Sequence, residues 1–158
     1  MADVLASTYY KPQHMQSFGN QSVAHFRFRA SALTNGDVVL FGIVPAGSRI
    51  VDAVMANTAS TALTTMSLGF RNADGTATSP NDGGATFQAP AADYWLPATA
   101  ISAAARTRTG APGTVSDGKG LALRCNKSVI ITGTLGGATI ATDTIMDVFI
   151  HYETEGAK

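Results

Sequence analysis

One cysteine, Cys125, stands in a chain of 158 residues. A lone thiol excludes an intrachain disulfide, and it fits assembly in a reducing cytoplasm. With only His14, His25 and His151 scattered along the chain, no zinc-ligand spacing exists either. Charge is also scarce. Lys, Arg, Asp and Glu make up 14% of residues, against roughly 25% in an average soluble domain. The 11 basic and 11 acidic residues cancel, and without a basic excess a general nucleic-acid binder is disfavoured. A surface so poor in charge is expected to be covered in use, because charge keeps a monomer soluble and apart from its neighbours. Glutamate occurs only at Glu153 and Glu155, which removes the usual general-acid candidates. No apolar run approaches the ~18–20 residues of a membrane span. The first ten residues, MADVLASTYY, lack the basic and apolar regions of a secretory signal. A soluble protein made in the cytoplasm is the expectation.

Helical periodicity is nearly missing as well. Ala103, Ala104 and Ala105 are good helix formers, but Gly110, Pro112 and Gly113 follow, so at most a short helix fits residues 101–108. What is there is Thr, Gly, Ala and Val with Gly/Asn/Asp breaks, an all-β composition. Ala24, Phe26, Phe28 and Ala30 alternate with His25, Arg27 and Arg29, which predicts a half-buried strand. Residues 38–44 and 49–57 predict two more, joined through Val44-Pro45-Ala46-Gly47, whose proline and glycine suit a type I turn. Met66, Leu68 and Phe70 alternate with Thr65, Ser67 and Gly69, and Leu121, Leu123 and Cys125 form a shorter alternation. Residues 129–132 follow. Residues 145–153 close the domain, with Met146, Val148, Ile150 and Tyr152 on one face and Asp147, Phe149 and His151 on the other.

Seven or eight such strands predict a β-sandwich or jelly roll. Length allows one domain, large enough to bury a core without staples. Residues 22–158 are read as that domain, with residues 1–21 an extended N-terminal arm carrying Tyr9, Tyr10, Met15 and Phe18. Residues 71–92 and 107–119 read as long loops, of a length that is uncommon without a function or a partner. The segment 38–55 has apolar residues on both faces. Val38, Leu40 and Val44 are expected inside the sandwich; Val39, Phe41 and Ile43 then need a second cover, either a loop or another subunit.

A search for chemistry finds no catalytic constellation. No histidine lies in a Gly-x-Ser-x-Gly turn or near Cys125 in sequence. Asp143 and Asp147 read as a solvated edge. Residues 72–76 and 81–84 resemble calcium loops only in their Asp-Gly turns, because no bidentate acidic ligand stands at the required spacing. Residues 133–137 lack the Gly-Lys-Ser/Thr of a phosphate loop. Two acceptor patterns for glycosylation, at Asn20 and Asn126, mean little without a secretory signal. Arg106 and Arg108 form a basic spot suited to an acidic partner surface. Trp95 is a core or interface anchor or, in a lectin, a sugar-stacking platform. No cofactor and no metal are expected.

Gly36-Asp37-Val38-Val39-Leu40, then residues 43–50 (IVPAGSRI), then residues 66–75 (MSLGFRNADG), then a closing strand over 145–152 stand in an order that resembles the capsid decoration, or cement, proteins of tailed bacteriophages. The resemblance spans most of residues 22–153. It implies a jelly-roll or sandwich fold and a non-enzymatic virion protein on the outer capsid surface, made in the host cytoplasm. It also implies homo-oligomers, dimers or trimers, bound to the major capsid protein, with no membrane and no direct nucleic-acid contact. Tyr9, Tyr10, Phe18, Phe41, Ile43, Trp95, Arg106 and Arg108 are the candidate capsid or oligomer contacts. Two other readings fit the same residues: a phage tail or spike component that binds host glycans, and a stand-alone carbohydrate-binding module.

Overall fold

A computed structural model describes residues 3–6, 9, 13–18, 21–31, 33–77, 90–108 and 122–154, with the backbone alone described at 13–18. The described residues form eleven strands and no helix: β1 Asp3–Leu5, β2 Gln13–Phe18, β3 Gln21–Arg29, β4 Val38–Val44, β5 Ser48–Asn57, β6 Thr64–Asn72, β7 Ala91–Ala100, β8 Ala105–Arg108, β9 Leu123–Cys125, β10 Val129–Gly137 and β11 Ile145–Thr154. They pair into two sheets. Sheet A has the order β1-β4-β10-β6-β7 and sheet B the order β2-β3-β11-β5-β8, with β9 also paired to β5. All pairs are antiparallel except β1 with β4. This is the expected all-β sandwich.

The inner faces carry the predicted period of two. Phe26 and Phe28 of β3, Met146, Val148 and Ile150 of β11, and Met66, Leu68 and Phe70 of β6 are all buried in one core. Phe70, Tyr94 and Trp95 form an aromatic cluster there, with ring centroids 5.0 to 5.6 Å apart. Burial pushes the Tyr94 hydroxyl and the Cys125 thiol each up to about 12. Cys125 is therefore an inert core residue.

The segment 38–55 corrects its expectation. Opposite β10, Gly42 pairs with Ile131 and Leu40 with Thr132, so Phe41 is the extra residue of a β-bulge. Above the bulge Val39 and Phe41 point inward; below it Val44 does. Leu40 and Ile43 therefore share the outer face, the reverse of the expected assignment for Val39, Phe41 and Leu40. Two glycines accommodate this. A Cβ on Gly42 would sit 2.2 Å from the Phe26 ring, and one on Gly133 would sit 2.7 Å from the Phe41 ring.

Three further elements depart from the sequence reading. Residues 105–108 form strand β8, not a helix, because Arg106 and Arg108 pair with Ala56 and Val54 of β5. Strand β7 was not anticipated: Pro97 lies within it, and its register against β6 slips twice, so Tyr94, Trp95 and Leu96 are buried consecutively. The arm at residues 1–21 contributes a strand to each sheet, β1 beside β4 and β2 beside β3.

Candidate functional site

With the core filled, the charged groups of the described strands lie outside it. On sheet B the polar positions of β3, β11, β5 and β8 line up in cross-strand rows. Arg27 faces Asp147, then Ala56, then Arg106; His25 faces Phe149, then Val54, then Arg108. Arg27 grips Asp147 with two bonds, Nε to Oδ1 at 2.8 Å and Nη2 to Oδ2 at 2.9 Å. His25 Nε2 lies 2.7 Å from the same Oδ1. A carboxylate only accepts, so Nε2 carries the hydrogen. The Arg27 hydrogen bonds hold the Asp147 carboxyl below the usual carboxylate range, with the His25 bond adding to the effect and partial burial opposing it. The His25 ring stacks on Phe149, centroids 4.6 Å apart and nearly parallel. Arg108 Nε donates to Asp52 at 2.6 Å. Beside these groups runs a groove of about 460 Å³ lined by Val23, Ala56, Arg106, Asp147, Phe149 and His151.

The outer face of sheet A is different. Leu5 and Ile43 are exposed at 46% and 39%, beside the covered Leu40 and Ile130. Thr132 and Thr134 continue the face into a hollow of about 300 Å³. Its ion pair is Arg71 with Asp3, at 2.9 Å, reaching from β6 across to the edge strand β1. A third apolar feature is Leu63, 83% exposed at the turn before β6, with φ at 65°.

The candidate contacts thus separate. Arg106 and Arg108 share the outer face of sheet B, and Ile43 lies on that of sheet A. Phe41 and Trp95 are core residues with almost no exposed surface, so the expectation of an interface role changes for both. The bulge turns Phe41 inward, and the aromatic cluster holds Trp95. Tyr9 is half-buried in a turn, its N–H donating to the Ala6 carbonyl at 3.0 Å. Tyr10 and the side chain of Phe18 lie outside the described residues. The loop at 72–76 is turn chemistry: Asp74 accepts from the Thr76 N–H and hydroxyl and from Lys127. Those bonds, led by the Thr76 N–H, lower the Asp74 carboxyl to about 2. Residues 81–84 lie outside the described residues. Among the described residues no three His, Cys, Asp or Glu side chains gather as a metal site would need.

The cluster of His25, Arg27, Asp147 and Phe149 is not visible as a cluster in the sequence. Its signal was present in the alternation of β3 and β11, but which residue faces which is a matter of register, and register is not written in either strand alone.

No protein-family model matches the chain, and no relative was found among the curated proteins. Solved structures do match. A chain of the "Capsid of Ralstonia phage GP4" superposes with a TM-score of 0.64 at 13% identity, over 99% of both chains. The fold is one found in phage capsids. A chain of the "Cyanophage Pam1 capsid asymmetric unit" matches with a TM-score of 0.58 at 13% identity, over 88% of this chain and 89% of that one. A chain of the "Acidic stable capsid structure of Helicobacter pylori bacteriophage KHP30" matches at 0.57 and 14% identity, over 91% and 94%.

Proposed function

We propose that this chain is a structural, non-enzymatic component of a phage head, acting as a decoration (cement) protein. In this reading it sits on the outer capsid surface as a homo-oligomer, dimer or trimer, bound to the major capsid protein. The observation that carries the reading is the match over 99% of both chains to a chain of a phage capsid. The whole fold is shared, not a fragment embedded in something larger.

The distribution of charge supports assembly. Residues 57–70, 94–105 and 128–142 contain no charged side chain. They supply most of β6, β7 and β10, so these strands of sheet A carry little charge. The outer face of that sheet, with Ile43 and Leu5, is the one we assign to the shell or to a sister subunit. A subunit that binds only the assembled shell stabilises it by linkage, and many tethered copies add avidity. The glycan-binding readings lose support, because Trp95 is buried in the core.

The test is reconstitution. Purified protein is mixed with heads that lack it, and bound copies are counted by quantitative mass spectrometry and cryo-electron microscopy. Saturable binding in many symmetric copies, with heads that release DNA at a higher temperature, is expected. Few copies at a single vertex would point to a tail component, and no binding would remove the head reading.

A further inference from the structure

Among the described residues, the charged groups around the sheet B groove are compensated with one exception. Arg27 is paired with Asp147, Arg29 with Asp143, Arg49 with Glu153 and Arg108 with Asp52. Arg106 is exposed and has neither an ion pair nor a hydrogen bond among the described residues. Asp147, the groove's own carboxylate, is occupied twice over by Arg27 and His25. The uncancelled charge on the groove is therefore the Arg106 guanidinium. At the far end His151 offers an imidazole with no bonded partner among the described residues. Between them lie Phe149, Ala56 and Val23, an apolar floor. Asp147 and His151 are four residues apart on β11, a run of about 13 Å at strand spacing.

We infer that this groove receives an extended acidic segment of a protein partner. A carboxylate pairs with Arg106, and an apolar side chain two residues further on lies over Phe149 and Val23. Charge complementarity selects the acidic residue, because a guanidinium fork matches a carboxylate in geometry as well as in sign. The apolar floor selects its neighbour. A lysine at the same position would meet Arg106 and be repelled. The inference rests on the assembly reading only for where such a segment would come from, namely a neighbouring virion subunit.

The experiment uses the full chain and a defined probe, the peptide acetyl-Ala-Glu-Ala-Phe-Ala-amide, with glutamine and lysine analogues at the glutamate position. Binding is followed by NMR shifts of the Val23, Phe149 and His151 amides. Saturable shifts are expected, with affinity about tenfold weaker for the glutamine analogue and for the Arg106→Gln variant with the original peptide, the loss of one charge-assisted pair. The exposed position of Arg106 leaves the fold of that variant intact, checked by its thermal midpoint. No saturable shift with the glutamate peptide overturns the inference. Equal binding of the three peptides, or no effect of Arg106→Gln, overturns it too. No capsid is present in this assay, so a protein that takes the peptide but ignores heads keeps the groove and loses the head reading.

Discussion

The two outer faces of this sandwich solve the same problem in opposite ways. Sheet B meets its surroundings with arginines and carboxylates locked in pairs, among them Arg27 with Asp147 and Arg108 with Asp52. Sheet A meets them with Thr134, Ile43 and Leu5, and its ion pair among the described residues, Arg71 with Asp3, reaches from β6 to the edge strand β1. The chain's shortage of charge is thus not spread evenly. It is concentrated on one sheet, while the other carries nearly the density of an ordinary soluble protein. An average over the whole sequence hides that division. A face without charge gains by being covered, whereas a face of satisfied ion pairs gains little, because exposed pairs are worth about 0–1 kcal/mol and are already solvated.

The most damaging test removes the scaffold under both faces. Gly42→Leu forces a side chain into the Phe26 ring, and overpacking of this kind is expected to cost about 3 kcal/mol, read as a lower urea midpoint. Both faces should fail together; a variant as stable as the parent would mean that the bulge in β4 is not fixed.

A smaller effect separates the faces. Asp147→Ala strips His25 and Arg27 of their shared acceptor and should cost about 1 kcal/mol at neutral pH. The sign of its pH dependence follows from the lowered carboxyl. Its contribution is complete above the unfolded-state value of about 4 and is lost as pH falls through the folded-state value. The gap in thermal midpoint between parent and variant should therefore be widest near pH 7 and close in acid. A gap that widened on acidification would contradict the pairing. Asp74, lowered to about 2, adds a dependence of the same sign.

The smallest change in stability belongs to sheet A. The double variant Leu5→Ser and Ile43→Ser should unfold within about 0.5 kcal/mol of the parent, as exposed substitutions do. The same variant should occupy heads poorly in the reconstitution assay. If stability fell while occupancy held, sheet A would be ordinary surface and the contrast between the faces would carry no functional meaning.

Much of this architecture was legible in the sequence. The alternations around Phe26 and Val148 identified two strands, because each has one buried and one more exposed face; the alternation around Leu68 identified β6, although Ser67 and Gly69 between its core residues are buried too. Strand β7 was not legible. Its two register slips and Pro97 erase the period of two, and only contact with β6 makes it a strand. Strand β8 was hidden by alanines that favour helix in isolation, a local preference overridden by pairing with β5. Phe41 illustrates a subtler limit. A bulge shifts the phase of a strand by one residue, and it is set by β10, ninety residues away. The ionic cluster on sheet B failed for the same reason: His25 and Asp147 were each visible, but their meeting depends on long-range register.

The N-terminal segment has a consequence for how this protein should be handled. Its two short strands join different sheets, β1 completing the border of β4 and β2 that of β3. Together they act as a clasp on both leaves of the sandwich. Trimming the segment, whether by protease or by gene design, bares two rows of unpaired amides and carbonyls at once. Molecules cut in this way would recruit one another through those raw borders. A truncated protein that clumps would then report on broken seams, and says nothing by itself about a lost partner.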